Sequence, residues 1–318
     1  MSSQSTPNKP SVVFMGTPDF AVPALVALHQ EFGVRAVVTV PDKPRGRGLE
    51  LQPSAVKLAA TQLGITSILQ PEKLRDPEFV EQMRKLSPDI ICVIAFRILP
   101  REVYTLARLG SFNVHASLLP KYRGAAPINH AIIRGEKTSG VTSFVLNDVV
   151  DAGTVVQQKA IELADGITAG ELYTLLQPLA AACAVETTRV LLDGNLHITA
   201  QDEALATPAP KVFRETSIIN WKQSAHNVRN FIHGLSPTPC AWTIWNNQTL
   251  KVFRATYSDI SVPVGEWIVK GLELIAGCNT GALSLTEVQL PGKKRMATAD
   301  ILRGYRGNDR GKFTGEVL

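Results

Sequence analysis

Residues 89–95 read DIICVIA, six apolar residues in a row behind one aspartate. An uninterrupted run of this length, rich in β-branched side chains, is a strand buried on both faces, and a sheet that buries its strands on both faces is parallel and covered by helices. Further strands are expected at 11–15, 34–40 and 111–115, and 141–146 and 155–163 read as a β-hairpin at the sheet edge. Between them lie segments with helical spacing. One spans 20–30, with Phe20, Leu25 and Leu28 in phase, and another spans 54–63, with Ser54 at the cap position. Others lie at 77–86 behind Asp76, at 101–109, at 128–134 and at 170–192. Pro178 falls inside the last, where a kink or break is expected. Strands alternating with helices make βαβ units.

The pattern changes after residues 193–210, where Gly194, Asn195, Pro208 and Pro210 read as a linker. A helix is expected over 221–235. Short β-rich runs follow at 241–244, 250–257, 265–269, 272–276 and 282–289, separated by glycine and asparagine turns. The expected architecture is a doubly wound, Rossmann-like, mostly parallel α/β sheet over 1–196, a linker over 197–210 and a small OB-like β-barrel over 211–318. Charge divides along the same line. Residues 1–209 hold 19 Lys and Arg against 20 Asp and Glu, whereas 210–318 hold 14 against 8. Basicity confined to the final third points to a phosphate-bearing partner, a nucleic acid or an anionic surface. No apolar run approaches the roughly 20 residues of a membrane span, and MSSQSTPNKP lacks the apolar middle of a secretory signal. The four cysteines are scattered, without metal-ligand spacing, as free thiols would be. A cytoplasmic chain with no membrane partner is expected, with a monomer as the default.

Chemistry concentrates in 111–127, SFNVHASLLPKYRGAAP. Asn113 and His115 are two apart, so on a strand end their side chains share a face. An amide donor beside an imidazole suits a reaction in which charge develops on oxygen while a proton moves. Ser117, Leu118, Leu119 and Pro120 then form an apolar turn, a floor for an apolar ligand, followed by the basic Lys121 and Arg123. Downstream, the turn at 147–154 carries two aspartates, Asp148 and Asp151, either of which could serve as a third partner. The turn at 16–19 has one glycine and is no dinucleotide cradle. Residues 41–48, PDKPRGRG, make a basic glycine-containing loop after the second strand, where open α/β sheets place their ligands.

Asn113-x-His115-x-Ser117-Leu118-Leu119-Pro120, Arg123-Gly124-Ala125-Ala126-Pro127 and Asp151-x-Gly153 together give a chain that resembles the folate-dependent formyltransferases. The segments GTPDF at 16–20, PDKPRGRG and GKKRM at 292–296 extend the resemblance over nearly the whole chain. It implies transfer of a formyl group from 10-formyltetrahydrofolate, used as co-substrate without a metal, to the amino group of methionine carried on initiator tRNA. It also implies catalytic roles for Asn113, His115 and Asp151, and a folate site of Ser117, Leu118, Leu119, Pro120, Phe96, Ile98 and Leu99. The tRNA contacts it implies are Lys43, Arg45, Arg47, Lys293, Lys294 and Arg295, with Arg47 nearest the acceptor end. One departure stands out: Ala95–Pro100, AFRILP, is one residue shorter than the family's A-[Y/F]-G-x-I-L-P. Family members acting on glycinamide ribonucleotide use a glycine-rich first loop where this chain has Gly16-Thr17-Pro18-Asp19 and a second domain, and those acting on sugar nucleotides fit the basic final third less well. A non-catalytic RNA-binding relative would dispense with Asn113, His115 or Asp151.

Overall fold

β1 (Val12–Gly16) is buried along its full length, and its β-branched and aromatic side chains pack on both faces of a sheet. The computed structural model describes residues 9–45 and 50–314. They fall into two compact units, the described parts of Met1–Gly124, Gly140–Ile161 and Thr174–Pro208, and of Ala125–Ser139, Glu162–Tyr173 and Ala209–Leu318.

In the first unit, α1 (Val22–Phe32) leads to β2 (Val34–Val38), then to a small hairpin of β3 (Lys43–Arg45) and β4 (Glu50–Gln52). α2 (Ala55–Gln62), β5 (Ile68–Leu69), α3 (Pro77–Leu86), β6 (Ile90–Ile94), α4 (Arg101–Tyr104) and β7 (Gly110–His115) follow. Beyond α5 (Pro127–Ile133), β8 (Thr138–Val145) and β9 (Val155–Glu162) complete a seven-stranded sheet of order β5-β2-β1-β6-β7-β8-β9. β1 is parallel to β2 and β6, β6 is parallel to β7, and β7 is antiparallel to β8. The chain leaves β1 toward β2 and later returns on the other side at β6, so the crevice between their carboxyl ends is a topological switch point. Gly16 ends β1 there. A Cβ on it would lie 2.9 Å from the Phe14 ring and 3.1 Å from the Ile94 carbonyl, so only glycine lets the next turn approach β6.

Three local expectations meet a different outcome. α6 (Ala169–Asp193) runs through Pro178 without a break. The proline removes one backbone bond, but Leu176, Ala180, Cys183, Ala184 and Thr187 are buried on either side of it. Thr187 also bonds Ser143 of β8 at 2.7 Å, and Glu186 bonds Lys159 of β9 at 2.7 Å. α6 is also the one described helix long and apolar enough to cross a membrane, and 44% of its most apolar stretch is buried in the protein. The helix expected over 101–109 is a single turn, because Arg108 N–H and Leu109 N–H bond the carbonyls of Pro88 and Asp89 instead. The basic loop at 41–48 is partly a hairpin, with Lys43 opposite Gln52 and Arg45 opposite Glu50.

The second unit holds α5, α7 (Ala225–Gly234) and a curled antiparallel sheet. Its strands are β10 (Ala241–Trp245), β11 (Gln248–Ser258), β12 (Glu266–Lys270), β13 (Glu273–Gly277), β14 (Ala282–Gln289), β15 (Met296–Ala297) and, after α8 (Thr298–Arg303), β16 (Arg310–Lys312). The order is β10-β11-β14-β13-β12-β16, with β15 on β14. Thr314 exchanges two backbone bonds of 3.2 Å with Ile244 of β10, which joins the two edges of the sheet. The β10–β11 turn is Asn246-Asn247, both left-handed at φ 48° and 60°, as a two-residue hairpin turn requires. Trp221, Trp245 and Trp267 fill the interior with Leu250, Val252 and Leu285.

His233 of α7 is 2% exposed, and its Nε2 accepts the Ala255 N–H at 3.1 Å. Burial, reinforced by Arg229 and Arg254 against the opposing pull of Glu171, lowers its pKa to about 4. The unfolded chain takes that proton near the ordinary value of about 6.5, so the neutral imidazole stabilises the fold fully above that pH and the contribution is lost as pH falls toward 4. The loss should total about 3 kcal/mol. Subtracting the thermal-melting curve of His233→Gln, whose amide oxygen can replace Nε2, should isolate this pH dependence. Parallel curves for the two proteins would refute it.

Candidate active site

β7 carries Asn113 and His115 to the carboxyl end of the sheet, and its register is fixed on both sides. Asn113 pairs with Val93 of β6 and Phe144 of β8, and His115 pairs with Thr142. Phe112 and Val114 are buried on the opposite face, which leaves Asn113 and His115 together. The His115 imidazole is 8% exposed and the Asp151 carboxylate 12%. His115 Nε2 lies 2.8 Å from the Tyr122 carbonyl oxygen, which can only accept, so Nε2 carries the proton. Nδ1 therefore faces Asp151, with Oδ2 at 3.9 Å, an ion-pair distance that leaves room for a shared proton donor. The same Oδ2 accepts the Gly124 N–H at 2.9 Å. The Asn113 carboxamide is half-buried and has no hydrogen-bond partner among the described residues.

Asp148, the competing aspartate, is occupied elsewhere. The Tyr104 hydroxyl donates to it at 2.6 Å and Arg101 at 2.8 Å, and these partners hold its pKa below the usual carboxylate range.

Ser117 and Leu119 are buried, and their backbone is pinned by one hydroxyl. Thr142 Oγ1 donates to the Ser117 carbonyl at 2.7 Å and accepts from Leu119 N–H and Gln158 Nε2, both at 3.0 Å. Gln158 also donates to the Leu119 carbonyl at 2.7 Å, and Ser117 Oγ donates to the Lys121 carbonyl at 2.6 Å. Leu118 and Pro120 are the half-exposed members of this turn. At the end of β6, Ala95 is left-handed at φ 48°; Phe96 and Leu99 pack on the core of the sheet, and Ile98 is 74% exposed. Arg97 folds over the Phe96 ring, 5.1 Å from its centroid, and donates to the Pro71 and Glu72 carbonyls, both at 2.9 Å. The shortened segment thus turns its cation away and its isoleucine outward.

A network that no motif announced joins these parts. Arg123 is bound by Glu203 at 2.8 and 2.7 Å and by the Gln201 side-chain oxygen at 3.1 and 2.8 Å. Glu203 holds the Arg123 pKa above its ordinary value. The segment read as a linker is fixed here, since Arg123 N–H bonds the Thr207 carbonyl and Val155 exchanges backbone bonds with Thr199.

Of the cations expected to meet a nucleic acid, Lys293 and Lys294 are exposed and free of side-chain partners among the described residues. Arg295 is bound to Glu287 by two bonds of 2.6 Å and lies 4.5 Å from the Phe253 ring centre. Arg47 lies outside the described residues, and of Arg45 only the backbone pairing is described. A cleft of about 220 Å³ opens between Arg214, Lys251, Gln289 and Gly292 on the barrel. Among the described residues, no three His, Cys, Asp or Glu side chains cluster as metal ligands. All four cysteines are buried and free.

Residues 9–188 match the formyl transferase family, and residues 211–306 match its C-terminal domain. The chain belongs to the formyl transferase family, a class of enzymes. Over its length it is similar to methionyl-tRNA formyltransferases. That of Chlorobium phaeovibrioides is 44% identical over 305 residues, covering 93% of this chain and 95% of the relative. That of Parabacteroides distasonis is 43% identical over 310 residues, covering 93% and 95%. Among solved structures, HypX from Aquifex aeolicus in complex with tetrahydrofolic acid superposes with a TM-score of 0.65 at 17% identity, covering 93% of this chain and 47% of that one. WlaRD, a sugar 3N-formyl transferase, gives a TM-score of 0.67 at 16% identity, covering 90% and 100%. Both share the fold.

Thr142→Val should strand one carbonyl, one backbone N–H and one amide at a buried site. A loss of about 3 kcal/mol is expected by chemical denaturation, with Thr142→Ser close to neutral. Equal stability of the valine variant would contradict the bonding described.

Proposed function

We propose that the chain transfers the formyl group of 10-formyltetrahydrofolate to the amino group of methionine on initiator tRNA. The observation that carries this is the pairing of His115 Nδ1 with the Asp151 carboxylate at 3.9 Å, on the same strand face as an unpaired Asn113 carboxamide, at the carboxyl end of β7. Exposed Ile98, with the half-exposed Leu118 and Pro120, supplies apolar surface suited to a flat ring system.

The neutral methionyl amine attacks the formyl carbon, and the carbonyl electrons move onto oxygen. Asn113 donates a hydrogen bond to that oxygen from its free NH₂ group, and protonated His115 donates from Nδ1. Removing one such donor typically costs about 2.7–4 kcal/mol of barrier. Asp151 accepts the proton that the amine loses, directly or through water. His115 gives its own proton to folate N10 as the carbon–nitrogen bond breaks. The products are the formylated aminoacyl-tRNA and tetrahydrofolate, so atoms and charge balance without a covalent enzyme intermediate.

The RNA is held by the basic surface of the second unit, through Lys293, Lys294, Arg214 and Lys251, and by Lys43, Arg45 and Arg47 of the basic 41–48 segment. Arg295, tied to Glu287, supports the fold of this surface more than it meets the ligand.

Asn113→Ala and His115→Ala should each lower kcat by at least a hundredfold with unaltered melting. Asp151→Asn should fall at least tenfold, whereas Asp148→Asn should stay within about twofold. Near-parental kcat in either of the first two would refute the assignment. Combining Lys293→Ala with Lys294→Ala should raise the KM for methionyl-tRNA and flatten its dependence on salt through fewer released counterions, without moving the KM for folate. An unchanged salt slope would remove these lysines from the interface.

A further inference from the structure

Asp151 is a non-glycine residue in the left-handed region, φ 55°. Such a conformation persists only where its surroundings over-determine it. Its turn is pressed against β8, since a Cβ on Gly153 would lie 1.8 Å from the Val145 carbonyl oxygen. The other restraint is Gln201. Its side-chain NH₂ spends both hydrogens on this turn, donating to the Asp151 carbonyl at 2.9 Å and the Gly153 carbonyl at 2.8 Å. Its oxygen accepts from Arg123 Nε and a terminal guanidinium nitrogen. Reversing the amide would set oxygen against two carbonyls and NH₂ against a guanidinium, so one orientation satisfies every partner.

Arg123 lies between the two backbone groups that grip the pair. The Tyr122 carbonyl fixes His115 Nε2, and the Gly124 N–H fixes Asp151 Oδ2. Gln201 therefore ties the loop that orients the imidazole to the turn that carries the carboxylate. We infer that Gln201 is a positioning residue that sets the separation, and hence the proton exchange, between His115 and Asp151. This role rests on those two side chains being the proton-handling pair of the reaction proposed above. Gln201 touches neither reacting group; it acts through the Asp151 and Gly153 backbone carbonyls on one side and the Arg123 guanidinium on the other.

Gln201→Glu keeps the side-chain length and the acceptor for Arg123, but it cannot donate to two carbonyls. Gln201→Ala removes all four bonds. Both should lower kcat about ten- to hundredfold, as a misplaced catalytic group does, with the KM values for 10-formyltetrahydrofolate and methionyl-tRNA within twofold. Both should also shift the pH dependence of kcat and the NMR titration of His115, which a loop staple alone would not move. Parental kcat and His115 titration in Gln201→Glu would overturn the inference whatever the melting temperature. Failure of Gln201→Glu to fold would also count against it, because the bonds would then hold the fold and not the pair. Asp151→Asn separates the two levels. If it remains active, the pair assignment fails. If it is inactive while Gln201→Glu is fully active, only the role of Gln201 falls.

Discussion

The hydrogen bond from His115 Nε2 to the Tyr122 carbonyl determines which imidazole nitrogen faces Asp151. With Nε2 committed as a donor, a neutral His115 presents an unprotonated Nδ1 toward Asp151, and a charged one presents a proton there. The carbonyl therefore acts as a tautomer lock. Tyr122 itself is left-handed at φ 64°, like Asp151 at 55° and Ala95 at 48°. Each such residue costs of order 1–3 kcal/mol; Tyr122 and Asp151 both face His115, and Ala95 directly follows β6. The surrounding sheet, whose central strands β1 and β6 are buried along their full length, offsets that cost.

The division of labour follows the connectivity. Strand ends supply rigid positions, so Asn113 and His115 are set by main-chain pairing on both sides of β7. Asp151 and the 122–124 loop are not in strands, and they are held by side chains: Arg123, Gln201 and, on the Ser117–Leu119 stretch, Thr142. Buried polar groups here are satisfied several times over, which is costly to assemble and correspondingly hard to deform.

Much of this was legible beforehand. DIICVIA implied a parallel sheet because backbone polarity and apolar side chains leave no other way to bury it, and the same-face placement of Asn113 and His115 follows from the two-residue period of a strand. Asp151 could not be told from Asp148 by its residue type or its turn; that separation came from the family's spacing, and the coordinates give its physical side, in which Tyr104 and Arg101 occupy one aspartate and leave the other to His115. The burial of Ser117 and Leu119 was hidden because a short apolar turn reads alike whether it faces a ligand or the core. Gln201 was invisible for a deeper reason. It lies in an irregular segment with no periodicity, and its importance arises from groups fifty and nearly eighty residues away meeting at one amide. Pro178 shows the converse: the helix does not break there, and the residues buried on either side of it hold it together.

The pairing of Ile244 with Thr314 has a consequence for association between molecules. An open antiparallel sheet ends in two rows of unpaired amides and carbonyls, and such rows recruit strands from other chains. By meeting at that bridge, the β10 and β16 edges of the barrel spend part of this capacity on each other. The barrel thereby keeps more of its main-chain groups paired within its own sheet. What it offers a partner there is charge, which salt can tune, and far less of an adhesive edge, which it cannot.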